Sequence, residues 1–211
     1  MYPFETPTTI SLSGISGAGK TFWVRFLIQN IDKMFDPPPQ KVMYAYNVWQ
    51  KMFSEMEKEH DFIHFIQGIP TENDLENLLN NEPQCLVLDD MMLECVNNPR
   101  IERLFTQGSH HRNLTVLFLN QNVFCQGKNA RNISLNTHHM ILFKNPRDIQ
   151  QIKSLARQLG FGKCLEEAYA DALSEKYGYL VVDMSPHSED AHRLRTKIFP
   201  TEDCIVYTTK K

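Results

Sequence analysis

Runs of five to seven apolar, β-branched and aromatic residues recur at 8–13, 41–46, 62–67, 85–89, 114–120, 139–144, 179–184 and 194–199, and each reads as a strand. Between them, apolar residues at three- and four-residue spacing predict helices over 20–31, 48–59, 72–80, 100–108, 147–159 and 164–176. Strands alternating with helices indicate βαβ units and a largely parallel sheet covered on both faces. Cys85-Leu86-Val87-Leu88 is apolar without alternation, as a strand buried on both sides requires. The last two strands, separated by Pro186 through Asp190, are expected to form an antiparallel hairpin at the end of the sheet. The fold class is α/β, a three-layer sandwich. Pro37-Pro38-Pro39 is the one linker-like run and reads as a stiff connection inside one domain spanning 1–211.

Composition narrows the class. With 211 residues, 42% hydrophobic and 22% charged, the chain has enough apolar side chain for an ordinary core, which excludes wholesale disorder. An apolar run of the ~20 residues that cross a bilayer is missing, and the first residues lack the basic and apolar regions of a secretion signal. Five cysteines, none in a C-x-x-C pair, exclude a disulfide scaffold and a zinc ribbon and suit a reducing compartment. A soluble protein acting inside a cell is expected.

The net charge of -3 hides an uneven distribution. Residues 1–40 carry three basic and three acidic side chains, 41–99 three and eleven, 100–163 ten and two, and 164–211 six and nine. The basic block also holds His110, His111, His138 and His139. It suits contact with a polyanion, either DNA phosphates or a neighbouring subunit's nucleotide. It equally suits a solvated face matched to the acidic block across a subunit contact.

Gly14-Ile15-Ser16-Gly17-Ala18-Gly19-Lys20-Thr21 fits G-x-x-x-x-G-K-[ST] without a mismatch, after an apolar strand and before the amphipathic run that begins at Phe22. Glycines let the backbone wrap close to phosphates, so successive N–H groups point inward at the start of a helix. Lys20 would span the terminal phosphates of ATP, and the Thr21 hydroxyl would ligate Mg²⁺. No further domain is expected ahead of Gly14.

Asp89 and Asp90 end an apolar strand 69 positions after Lys20. The first is placed to hold Mg²⁺ and the second to polarise an attacking water as general base. A phosphotransferring kinase seldom needs that second acid, because its nucleophile is a substrate hydroxyl. The alternative, a pair of acids that merely caps a loop, is the lesser one after such a glycine-rich loop. Asn120-Gln121-Asn122 ends the next buried strand. If that strand lies between the loop strand and the acidic strand, Gln121, or Asn120 beside it, faces the γ-phosphate.

With these motifs in place, the chain resembles the FtsK/HerA superfamily of DNA-pumping ATPases, within the P-loop NTPase (ASCE, RecA-like) fold. More narrowly it is similar to the genome-packaging ATPases of poxviruses, adintoviruses, virophages and Polinton/Maverick elements. The likeness is carried by G-I-S-G-A-G-K-T, M-Y-A-Y-N-V-W-Q, L-V-L-D-D-M-M, L-F-T-Q-G-S-H-H-R-N-L-T-V-L-F-L-N-Q-N, I-S-L-N-T-H-H-M-I-L-F-K-N-P-R-D, Y-G-Y-L-V-V-D-M and R-L-R-T-K-I-F-P, and covers nearly the whole chain. The resemblance implies that Lys20 and Thr21 bind nucleotide and metal, that Asp89 and Asp90 are the acidic pair, and that Gln121 is the sensor. Asp90 departs from the superfamily's usual Glu and is one methylene shorter.

The resemblance also implies a homo-oligomeric ring of five or six subunits, with an arginine reaching into the neighbour's nucleotide. Arg112 is the first candidate and Arg131 and Arg147 follow. The remaining basic residues would face double-stranded DNA without reading sequence. Capsid portal or vertex proteins are implied partners, at the host-cell site of virus assembly. The adjacent His pairs cannot chelate a metal as units, because neighbouring side chains on a strand point to opposite faces. Tyr46 and Trp49 suit either adenine stacking or core packing, and the Glu55, Glu57, Glu59, Asp61 run reads as a solvated helix end.

The expected function is an ATP-driven DNA translocase that fills a viral capsid. A small-molecule kinase shares the loop and the size, a nucleotide-regulated scaffold is a second alternative, and a cellular or conjugative DNA pump a third.

Overall fold

The computed structural model describes residues 3–78, 82–108, 113–124, 126–147 and 149–208. Eleven strands are present among them: β1 Phe4–Glu5, β2 Thr9–Ser13, β3 Phe35–Asp36, β4 Lys41–Tyr46, β5 Ile63–Gln67, β6 Gln84–Asp89, β7 Leu114–Asn120, β8 His139–Phe143, β9 Tyr179–Asp183, β10 Leu194–Thr196 and β11 Ile205–Tyr207. Nine form one sheet in the order β11-β10-β9-β8-β2-β7-β6-β4-β5, and β1 and β3 make a separate parallel pair. From β8 through β2, β7, β6 and β4 to β5 every pairing is parallel. The other pairings, β8 to β9, β9 to β10 and β10 to β11, are antiparallel.

All eight expected strands are there, and β7 does lie between β2 and β6. The expected C-terminal hairpin is the pairing of β9 with β10, and β11 extends it by one strand. That strand is three residues long and partly exposed, too short to show in a hydropathy pattern. The strand expected over 194–199 stops at Thr196, where Lys197 takes φ +54°.

The helices are shorter than their apolar periodicity suggested. Lys20–Gln29 ends at Asn30, whose side-chain amide donates to the Phe26 carbonyl (2.9 Å), before a single turn at Ile31–Met34. Lys51–Glu59, Glu72–Leu78, Ile149–Gln158 and Lys163–Ala172 match the other expectations. The segment expected as one helix over 100–108 is an α-helix at Pro99–Arg103 that widens into a π-helical turn at Leu104–Gly108. Met92–Val96 and Ala130–Leu135 were not anticipated.

Strand alternation divides the core in two. Ile10, Leu12, Tyr44, Val87, Leu119, Ile141 and Val181 face Trp23, Val24, Leu27 and Ile28 of Lys20–Gln29. Their neighbours Met43, Leu86, Leu88, Val116 and Phe118 face Leu75, Cys95, Ile101 and Ile133, while Met140, Leu142 and Leu180 face Ile152, Leu155 and Leu165. Each such side chain, fully buried, contributes roughly 1.5–3 kcal/mol. Tyr46 and Trp49 join Phe53 and Phe65 in an aromatic cluster, in which Tyr46 is partly buried against the core while Trp49 stays 44% exposed. Glu55 and Glu59 are not merely solvated: Arg25 pairs with both at 2.8 Å and ties two helices together.

Candidate active site

Because β2, β7 and β6 run parallel as neighbours, with Ser13 opposite Asn120 and Leu119 opposite Asp89, their C-terminal tips meet on one sheet edge. Beyond Ser13 the chain makes a tight loop into the helix that starts at Lys20. Its Gly14 N–H donates to the Asn120 carbonyl (3.3 Å) and its Ala18 N–H to the Ile15 carbonyl (3.2 Å). Gly17 and Gly19 take φ +78° and +107°, which side chains resist. At Gly14 the constraint is space, since a Cβ there would stand 2.6 Å from the Phe143 Cβ on β8. Ile15, Ser16 and Phe22 are exposed on the rim.

The Lys20 ammonium donates to the Gly14 carbonyl (2.5 Å) and the Ile15 carbonyl (3.2 Å). Burial lowers its pKa, against the opposing pull of Asp89 and Asp90. Asp89 is 5% exposed and accepts from the Thr21 hydroxyl (3.3 Å) and the Tyr44 hydroxyl (2.8 Å) on the same oxygen, Oδ2. Burial raises its carboxyl above the usual range, although both hydroxyls favour the carboxylate.

Asp90 turns outward with φ +57°, a left-handed conformation that Asp tolerates better than most residues. Its Oδ1 accepts from Gln121 Nε2 (3.3 Å), and its carbonyl accepts from Asn47 Nδ2 (2.8 Å). The two amides at the tip of β7 are not equivalent. Asn120 is locked into the sheet, accepting from Ser13 Oγ (2.8 Å) and donating to Ser11 Oγ (3.0 Å), so Gln121 is the amide that reaches the rim.

Lys20, Thr21, Asp89, Asp90 and Gln121 are thus gathered at one place. Arg112 lies outside the described residues. Arg131 is exposed on Ala130–Leu135. Arg147 is exposed just past the tip of β8, where its N–H donates to Asn145 Oδ1 (3.2 Å), and Asn145 in turn donates to the Gln121 carbonyl (3.4 Å). Tyr44 and Asn47 are the additions that sequence reasoning missed. Tyr44 reaches the Asp89 carboxylate from β4 and Asn47, just past the end of that strand, reaches the Asp90 carbonyl, contacts visible only once β4 is known to neighbour β6.

Tyr44→Phe removes one of two donors to a buried carboxylate, and a loss of about 1–3 kcal/mol is expected at neutral pH. The loss should shrink in acid as Asp89 takes up its proton. Urea unfolding at pH 7 and pH 4.5 checks this; an equal deficit at both would assign the hydroxyl no electrostatic role.

The donor set fits a triphosphate with a divalent cation. A desolvated ammonium bonded only to its own loop's carbonyls offers its charge to phosphate oxygens, and one carboxylate with one hydroxyl is the sparse protein ligation that Mg²⁺ accepts beside phosphates. His138 and His139 stand at the far, N-terminal end of β8 from this rim, and His110 and His111 lie outside the described residues. His138 Nδ1 lies 3.3 Å from the Thr8 hydroxyl, and His139 is buried beside Asp183 and Ser185 in the wall of a cavity of about 610 Å³. Among the described residues no group of three or more His, Cys, Asp or Glu is arranged to hold a metal ion.

Sheet order, loop and rim together give the chain the P-loop NTPase fold. Solved structures of this fold match across almost its full length. B204, the DNA-packaging ATPase from Sulfolobus Turreted Icosahedral Virus, superposes with TM-score 0.58 over 100% of both chains at 11% identity. The genome packaging NTPase B204 from Sulfolobus turreted icosahedral virus 2, in complex with ATP-gammaS, gives 0.56 over 97% of this chain and 98% of its own at 10% identity. The AMP complex of that protein gives 0.55 over 87% and 94% at 12% identity. No protein-family model and no curated protein matches the sequence.

Proposed function

We propose that this chain hydrolyses ATP to move double-stranded DNA into a viral capsid. The observation that carries the reading is the meeting of Lys20, Thr21, Asp89, Asp90 and Gln121 on one edge of the sheet. In this reading Gly14 to Gly19 wrap the phosphates, Lys20 neutralises the terminal ones, and Thr21 with Asp89 would hold Mg²⁺. That ion, when bound, offsets the charge on the β- and γ-phosphates. Asp90 takes a proton from water as the water oxygen bonds to the γ-phosphorus and the bond to the β,γ-bridging oxygen breaks. The products are ADP and inorganic phosphate. Gln121, already bonded to Asp90, orients that water and reports whether the γ-phosphate is present.

The coupling of Asp90 to Gln121 favours hydrolysis over transfer to a metabolite, because a kinase has no use for an acid that activates water. A scaffold with little turnover would have no need of either residue. B204 structures that superpose over nearly the whole of both chains support the packaging reading, and the FtsK/HerA and poxvirus-like placement rests on the sequence motifs. The basic block 100–163 would track DNA phosphates, and Arg112, with Arg147 as the next choice, would reach a neighbouring subunit's nucleotide in a ring. Capsid vertex proteins are the proposed docking partners, at the host-cell site of assembly.

ATP turnover by the purified chain should rise several-fold with duplex DNA, lose that stimulation at raised salt, and coincide with an ATP-dependent increase in particle mass. Turnover indifferent to DNA by a monomer would favour the kinase alternative.

A further inference from the structure

We propose that Tyr177 is the stacking platform for the nucleobase of the bound nucleotide, a role that rests on the loop at 14–21 holding the phosphates. The acids and Gln121 lie on the β7 and β6 side of that loop, so the γ-phosphate end of a nucleotide belongs there. The nucleoside end must leave on the opposite side, over β8 and β9. Tyr177 stands on that side. It lies two residues before Tyr179, which pairs with Phe143 at the tip of β8. Its ring atom Cδ1 is 3.3 Å from where a Cβ would stand on Gly19, the last glycine before Lys20.

Two features of Tyr177 are unfavourable for the fold by itself. Its backbone has φ +61°, an outlier for a bulky residue, and 60% of the residue is exposed. The surroundings enforce this posture. Gly178 N–H closes a turn onto the Glu175 carbonyl (3.2 Å), and a Cβ on Gly178 would stand 2.1 Å from the Ala172 carbonyl oxygen. Next in the chain, Tyr179 is pinned among Trp23, Phe143 and Phe199. The ring is therefore held out beside the loop by a rigid base. Lys176 Nζ lies over it, 4.9 Å from the centroid, on a flexible stem that can yield the π face to a flat ligand. Phe22, 65% exposed, shares a helix face with Phe26, which packs on Phe199, and so adds a second apolar surface on the same side.

Calorimetric affinities for ATP and for inorganic tripolyphosphate test the assignment. Tyr177→Gly keeps the left-handed backbone and removes the ring. It should weaken ATP about tenfold, in the range of base–aromatic stacking, and leave tripolyphosphate unchanged, while Tyr177→Phe restores the ATP affinity. Unchanged ATP affinity in Tyr177→Gly, or an equal loss for both ligands, would overturn the stacking role. If Lys20→Ala abolishes binding of both ligands in the same series, the phosphate loop stands whatever Tyr177 does. Wild-type protein that binds neither ligand would end both readings.

Discussion

Lys20→Ala is expected to abolish ATP binding and turnover while the chain still folds. The ammonium is the one cation inside the loop, and it bonds to the carbonyls of Gly14 and Ile15 rather than to a carboxylate. Removing a desolvated charge from its partner charge costs roughly 2–5 kcal/mol, which weakens binding by about 30-fold to several thousandfold. Stability should move little. The folded pKa of Lys20 is lowered by burial, so below that value holding the charged form in the loop costs the native state, a cost that vanishes as pH rises past the unfolded value. The variant therefore loses hydrogen bonds and a penalty together. Nucleotide titration followed by thermal melting checks both halves: affinity collapses, and the melting temperature stays within a few degrees. A variant that binds ATP normally would remove the loop from the site.

Asp90→Asn should leave ATP bound and stop turnover. The substitution is clean for a structural reason, because Asn tolerates the left-handed backbone at position 90 as well as Asp does, and its side-chain oxygen can still accept from Gln121 Nε2. What disappears is the ability to take a proton from water. A positioned general base contributes about 10²- to 10⁴-fold, so single-turnover hydrolysis should fall by that order with affinity unchanged. Persistence of full activity would transfer the role to another group. The same backbone explains the shorter acid here: a left-handed turn at the strand end suits Asp, and it carries the carboxylate out to Gln121 without the extra methylene of Glu.

Much of this was readable from the chain before any coordinates. Uninterrupted apolar runs ending in Asp89-Asp90 and Asn120-Gln121 identify buried parallel strands with polar residues at their tips, and the glycine spacing before Lys20 anticipates the tight loop between β2 and the helix that follows. What stayed hidden depends on which strands are neighbours. Tyr44 donates to Asp89 from β4, and nothing in its own segment marks it apart from the aromatic residues around it. Asn120 is withdrawn from the rim by Ser11 and Ser13, which with Thr9 are the polar residues at alternate positions of β2, a signal present in the sequence but mute without the β2–β7 register. Short edge elements such as β1, β3 and β11 bury too little to impose a pattern. The role proposed for Tyr177 was illegible because it depends on a left-handed backbone angle and on a ring set beside Gly19, far away in the chain.

The bare backbone of Gly14 pressed against the Phe143 Cβ links two positions far apart in the chain. Only one of them can carry a side chain. Any lineage that places alanine at 14 has to move the β8 strand outward or reduce 143 to glycine, and either change disturbs the wall on which Tyr169 and Tyr179 rest. Drift at either position is thus conditional on the other, and the loop's geometry is inherited from a strand that contributes none of the residues proposed to grip the phosphates.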